Sequence, residues 1–405
     1  MNVSPILKKE KLSRSMWRSI WNSAFKFFQG GSIKIIHPDG SFSFHGSASS
    51  DYAILEIKDN AFYKKVILGG SVSFGEAYVC GLWTTPDLSK LLTALSKNCN
   101  QFGILEKGAS VLNHWLNIGL HLLRRNSKKK SLSNIQAHYD LSNDFYKLFL
   151  DQSMTYSSAL FENRDYSLEE AQVHKINRIL DLAEVKTGDA ILEIGSGWGS
   201  LAIEAAKRGC SVKTITLSKE QYDLANKKIL ELGLSDNIEV CLQDYRDESG
   251  IYDAVVSCEM IEAVGKEYLE QYFSVIQGAL KPNAKAVIQA ITIRDSDYNE
   301  YARNCDWIQK HIFPGGHLPS IKVIKAISEN LSGFEMHTIN SFGFDYAKTL
   351  GIWQHKFNQT SSDMQRLGFD ESFLRKWNYY FSYCIAGFNN QMINVSHITF
   401  QRNLP

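Results

Sequence analysis

Residues 190–199, Ala-Ile-Leu-Glu-Ile-Gly-Ser-Gly-Trp-Gly, hold the densest chemistry in the chain. An apolar run ends on an acid, Glu193, and glycines follow at Gly195, Gly197 and Gly199. A glycine turn lets a bulky cofactor lie against the backbone where a Cβ would collide. The segment after it has helical periodicity, so its N-terminus adds free N–H donors. The third glycine of the dinucleotide pattern would fall at Ser200, so the spacing is a different one. Glu193 is suited to take up an ammonium group or to orient the loop. The next apolar run, 212–217, carries no acid at its end, which leaves Thr216 and Gln221 to hydrogen-bond ribose hydroxyls. Gln243-Asp-Tyr-Arg246 offers groups for an adenine edge and a flat surface for its face. Glu262 follows a further apolar run. It reads either as a solvated helix glutamate or as an acid at the ligand edge of a sheet.

Those groups need a scaffold. Apolar runs at 190–194, 212–217, 238–242, 252–257 and 285–292 alternate with helical segments such as 219–232 and 267–280. Alternation of this kind predicts a parallel sheet covered on both faces, with ligands at the strand C-terminal ends. A strand, an acid and alternating glycines in that setting are the pattern of an S-adenosylmethionine (SAM) methyltransferase. Upstream, 32–36, 41–44, 53–57 and 65–68 alternate with period two and predict a small β-rich unit. Helical periodicity runs from 87 to about 123, and the basic stretch 124–133 reads as a linker. Residues 11–28 mix Arg14, Arg18 and Lys26 with Trp17, Trp21, Phe25, Phe27 and Phe28. This is either a helix on a membrane surface or, the reading we favour, one packed on its own domain. The expected division is an N-terminal α+β domain over 1–123, the linker, and a catalytic domain over 134–405.

The net charge of +1, with 21% charged and 44% apolar residues, describes a globular chain with no global attraction to nucleic acid. No run approaches the roughly 20 apolar residues that span a bilayer, and the N-terminus lacks a secretory pattern. The seven cysteines are scattered without a Cys-x-x-Cys, which fits a reduced cytoplasmic protein. No His/Asp/Glu cluster has metal-ligand spacing, so no metal is expected.

Five further stretches resemble one family. They are His138-Tyr-Asp-Leu-Ser-Asn-Asp-Phe-Tyr-Lys-Leu-Phe-Leu-Asp151 with Met154-Thr-Tyr-Ser-Ser-Ala-Leu-Phe161, then Glu259-Met-Ile-Glu-Ala-Val-Gly265, Ile312-Phe-Pro-Gly-Gly-His-Leu-Pro-Ser320 and Phe344-Asp-Tyr-Ala-Lys-Thr-Leu350. Together they resemble the cyclopropane-fatty-acyl-phospholipid synthases and the related mycolic acid cyclopropane synthases. Phe74–Trp83 resembles, more loosely, the lipid-associated N-terminal domain of the phospholipid-acting members. The resemblance implies an α/β fold: a class I SAM-dependent methyltransferase fold with a doubly wound, mostly parallel sheet and a smaller N-terminal α+β domain. It implies methylene transfer from SAM to the cis double bond of an unsaturated phospholipid acyl chain, through a methylated carbocation deprotonated by bound bicarbonate. Tyr156 and Ser157 match the family's cofactor-contacting pair. Thr216, Leu217 and Gln221 match its second cofactor segment, and Tyr245 stands where the mycolic acid enzymes have Trp. Glu262, Tyr346 and the backbone of Ile291 match the bicarbonate pocket. Cys384 matches a cysteine labelled active-site, although the chemistry needs no thiol and a pocket-lining role fits it better. Two positions depart from the pattern: Ser158 replaces the pocket cysteine, whose contact is through the backbone, and Gln289 replaces the pocket histidine. Gln289 cannot titrate near neutrality, which opens a second outcome: a methyl-branched or methylene chain without a ring. A non-catalytic lipid-binding protein is a third reading. The enzyme would associate transiently with the membrane through residues 8–28 or 62–66, and homodimers are common in the resembling family.

Overall fold

The computed structural model describes residues 16–47, 50–98 and 141–403. The expected linker, the end of the long helical stretch and His138 lie outside the described residues.

Four short strands make the N-terminal sheet: β1 (Ser32–Ile36), β2 (Phe42–Gly46), β3 (Ala53–Ile57) and β4 (Trp83–Thr84), in the order β2-β1-β3-β4. Period-two alternation puts Ile33, Ile35, Leu55 and Ile57 inside, each at most 1% exposed. Residues 16–24 are helical, and Trp21, Phe25 and Phe28 are buried. That aromatic stripe is therefore core. Trp21 meets Phe62 edge-on with ring centroids 4.9 Å apart.

One expectation fails here. Residues 65–68 are not a strand but part of the helix Ala61–Val79. A four-residue apolar run does not distinguish a strand from a buried helix turn. The helix buries Phe62, Tyr63, Val66 and Ile67, spaced for one helical face. Within 62–66, Phe62, Tyr63 and Val66 are at most 8% exposed, and Lys64 is the exposed residue. Gly70 breaks this helix, with φ 61° and ψ −149°.

The second sheet has seven strands: β5 (Ala190–Ile194), β6 (Ser211–Thr216), β7 (Ile238–Leu242), β8 (Tyr252–Cys258), β9 (Leu280–Ile293), β10 (Phe334–Ser341) and β11 (Ile393–Arg402). Their order is β10-β11-β9-β8-β5-β6-β7. β9, β8, β5, β6 and β7 are mutually parallel, and β11 runs antiparallel to both β9 and β10. The sheet is the doubly wound, mostly parallel one expected. The two C-terminal strands escaped the sequence reading. β11 is buried between two neighbours over Val395–Phe400 and shows no alternation, while β10 is a largely exposed edge.

A single core joins the two sheets' surroundings. It runs from Trp21, Phe62 and Trp83 to Trp353, Trp377 and Phe388. Arg375, on the helix Glu371–Asn389, donates to the backbone oxygens of Tyr78 at 2.7 Å and Trp83 at 3.0 Å.

Candidate active site

The C-terminal ends of β5, β6, β7 and β8 meet at a cavity of about 180 Å³. Gly195 has φ 95° and Gly197 φ 49°, a left-handed backbone that side-chain-bearing residues rarely adopt. Both line the cavity. Gly199 (φ 89°) does not; it caps the following helix instead. Tyr156, Ser157, Glu193, Thr216, Leu217, Gln221 and Tyr245 all line the cavity, as do Gln243, Asp244 and Arg246. The Thr216 hydroxyl is already bonded, donating to Gln221 Oε1 at 2.8 Å and accepting from Ser218 N at 3.1 Å. Arg246 is clamped by Asp244, Nε to Oδ1 at 2.8 Å and Nη2 to Oδ2 at 2.6 Å. Glu193 is 2% exposed and accepts from Thr214 Oγ1 at 2.6 Å. Burial pushes its carboxyl up to about 8, against the Thr214 bond and the Lys175 charge. A buried acid facing an open cavity is a receptor for a cation. The glycine turn, that acid and the Gln243–Arg246 segment together fit SAM.

A second, larger cavity of about 670 Å³ adjoins the first. Its walls are largely apolar and come from both parts of the chain, including Trp21, Phe74 and Leu92 on one side and Leu350, Tyr380 and Phe388 on the other. Among the described residues, Tyr156, Glu259 and Ala263 line both cavities. The Tyr156 hydroxyl is 3.1 Å from that of Tyr380. Ile291, Tyr346, Glu262 and Cys384 line the larger cavity only. Burial raises the Cys384 thiol well above its usual range, with the Asp306 charge adding to it, so it stays protonated and is no nucleophile.

The polar centre at the junction is not the one expected. Glu259, not Glu262, gathers the donors. Its Oε1 accepts from Ser158 N at 2.9 Å and from Gln289 Nε2 at 2.7 Å, and its Oε2 accepts from the Tyr346 hydroxyl at 2.6 Å. Its own N–H bonds to Gln289 O at 2.8 Å, tying it to β9 by backbone and side chain. Gln289 is fixed in turn, because its Oε1 lies 2.9 Å from His397 Nε2. Burial pushes His397 down to about 3, so the ring is neutral, and its Nε2–H donates to the amide oxygen. Glu262 keeps one expected contact: Ile291 N donates to its Oε1 at 2.5 Å. Its Oε2 is buried with no partner. Burial first, and then the Glu259 charge, push Glu262 up to about 8. Burial also raises Glu259, against the bonds from Tyr346, Ser158 and Gln289 and the charge of Lys175.

This arrangement corrects the bicarbonate pocket. Of the five groups expected around that ion, Ser158 N, Gln289 and Tyr346 hold a carboxylate of the chain itself, and Ile291 N bonds to the Glu262 carboxylate. The residues present do not fit bicarbonate as a further occupant of the same donors. Glu259, Lys175 and His397 were missed in the sequence. Glu259 was within sight as the first of two acids three residues apart after a predicted strand. Lys175, whose Nζ donates to Ser157 Oγ at 2.7 Å, and His397, on an unrecognised strand, carried no local signal.

Comparison with known proteins agrees with this geometry. The family model for mycolic acid cyclopropane synthetase matches residues 126–398. Tuberculostearic acid methyltransferase UfaA1 of Mycobacterium tuberculosis is 37% identical over 385 residues, covering 92% of this chain and 88% of that protein. Cyclopropane-fatty-acyl-phospholipid synthase of Escherichia coli K12 is 32% identical over 362 residues, covering 89% and 90%. The crystal structure of mycolic acid cyclopropane synthase CmaA1 with SAH and CTAB superposes with a TM-score of 0.61 at 30% identity, covering 67% of this chain and 98% of that one. The fold is that of a class I SAM-dependent methyltransferase. The chain belongs to the mycolic acid cyclopropane synthetase family and is a SAM-dependent methyltransferase.

Proposed function

We propose that this chain methylates a double-bond carbon of an unsaturated acyl chain, carried by a phospholipid, and releases the product without closing a ring. The observation that carries the reading is the junction of the glycine-turn cavity with a larger, mostly apolar one, bridged by Tyr156, Glu259 and Ala263. SAM supplies an electrophilic methyl group bound to a sulfonium. An acyl chain in the apolar cavity presents its double bond at that junction, and its π electrons form the new C–C bond. Trp21, Phe74 and Phe388 keep water from the cation that follows. A hydride then moves from the methylated carbon to its neighbour. Loss of a proton from the new methyl group leaves a methylene-bearing chain. Atoms and charge balance with one proton released.

Support for an open-chain product comes from the pocket and from kinship. Ser158 and Gln289 depart from the pattern of the ring-forming enzymes, and the donors around them bind Glu259. The relative at 37% identity over 92% of this chain is named for tuberculostearic acid. Ring closure is the second reading, favoured by the family description and by the E. coli relative. Both readings need the same first step and one proton acceptor. Proton NMR of product from SAM and dioleoyl phosphatidylglycerol vesicles separates them. Vinylic methylene protons support the open chain, and upfield ring protons overturn it in favour of the ring.

A further inference from the structure

We propose that Glu259 is the catalytic base: its carboxylate occupies the place of a bound anion and takes the proton from the methylated acyl cation. This rests on the alkene-methylation reading above and assigns the proton acceptor within it.

Three observations carry the assignment. First, among the described residues Glu259 is the only carboxylate that lines both cavities, so it stands where a newly transferred methyl group must pass from one to the other. Second, its carboxylate is held by three donors from three separate segments: Ser158 N, Gln289 Nε2 and the Tyr346 hydroxyl. An anion gripped this way is oriented before any cation forms, and orientation in a water-poor cavity is what electrostatic stabilisation needs. Third, the chain accepts backbone strain to put it there. Glu259 has φ 50°, a left-handed conformation uncommon for a residue with a Cβ.

The step balances without an added co-reactant. A C–H bond of the transferred methyl group breaks and its electron pair forms the new C=C bond, or the ring bond if the ring closes. The proton goes to a carboxylate oxygen of Glu259. Tyr346, Gln289 and Ser158 stay as donors to the other lone pairs. Lys175, Glu262, Cys258 and the phenols of Tyr346 and Tyr380 are charged and titratable groups that interact with Glu259 across this site. Glu262 is the poorer candidate, because it lines only the acyl cavity and Ile291 N is the donor that its carboxylate holds.

The test is anion dependence. Full-length protein is assayed with SAM and dioleoyl phosphatidylglycerol vesicles in buffer freed of carbon dioxide, with and without added bicarbonate. The wild-type rate is expected to be the same in both. Glu259→Gly removes the carboxylate and relaxes the left-handed φ, so the variant is expected to fold, as thermal melting and SAM binding by calorimetry will report. Its rate in bicarbonate-free buffer is expected to fall by about 10²–10⁴-fold, the usual worth of a positioned base. Added bicarbonate or formate, filling the vacated donors, is expected to restore part of it. Glu259→Asp is expected to keep more activity than Glu259→Gly. A wild-type rate that requires bicarbonate, or a Glu259→Gly variant at wild-type rate without any added anion, overturns the assignment. A wild-type enzyme that releases no S-adenosylhomocysteine with these vesicles would instead overturn the alkene-methylation reading, so the two failures are distinguishable.

Discussion

Tyr346 and Glu193 show how single side chains set the chemistry of this site. The Tyr346 hydroxyl favours the charged form of Glu259, and burial opposes it. Tyr346→Phe removes that bond, so the Glu259 carboxyl rises further and the active, deprotonated base appears only at higher pH. The acid limb of kcat/KM is therefore expected to move to higher pH. A profile that stays in place would show that Glu259 is not the titrating base. Glu193 makes a separate prediction. Above about pH 8, where Glu193 is ionised, Glu193→Gln keeps the shape but removes the anion, and SAM affinity there is expected to fall about 10–100-fold by calorimetry. An unchanged Kd would mean that the acid merely braces β5 and β6 through Thr214. At this scale the sequence was only partly legible. Gly195, Gly197 and Glu193 could be placed at the cavity because a glycine turn after a strand has one geometry, and Gln221 and Tyr245 because they follow the ends of the next two strands. The exchange of roles between Glu259 and Glu262 could not. Which of two acids three residues apart meets the donors depends on where β8 ends and on a positive φ that no local pattern encodes.

The elements β5 to β9 were legible because a buried parallel strand is an apolar run of the right length, bounded by helical segments. β11 was hidden by its own burial, and with it His397, the partner that orients Gln289. The stretch 65–68 went wrong for the converse reason: a short apolar run in isolation has no period. The break in that same helix is testable. Gly70 lines the apolar cavity at φ 61° and ψ −149°, a conformation nearly confined to glycine. Gly70→Ala is expected to cost about 1–3 kcal/mol and lower the melting temperature. A variant that melts like the wild type would mean that the helix closes over the break without penalty.

Across the whole molecule, the larger cavity draws its walls from both the N-terminal sheet's surroundings and the C-terminal helices, so neither part alone encloses it. Glu193 and Glu262 are both raised from 4.5 to about 8 by burial. The folded protein therefore holds protons there that the unfolded chain has lost. Stability of the unliganded enzyme is expected to decline as pH rises from about 4.5 toward about 8. SAM, a cation, binds best when Glu193, which lines its cavity, is ionised, so its affinity is expected to strengthen over the upper part of that window. Melting curves with and without SAM across pH check both, and a flat pair of curves contradicts them.

The most direct test follows the transferred carbon. The enzyme is given SAM labelled with ¹³C in its methyl group and dioleoyl phosphatidylglycerol vesicles, and the extracted lipid is examined by NMR. The account predicts the label on the acyl chain as an olefinic methylene carbon, in a lipid heavier by one CH2. Label in the headgroup, in an upfield ring carbon, or absent from the lipid would contradict it.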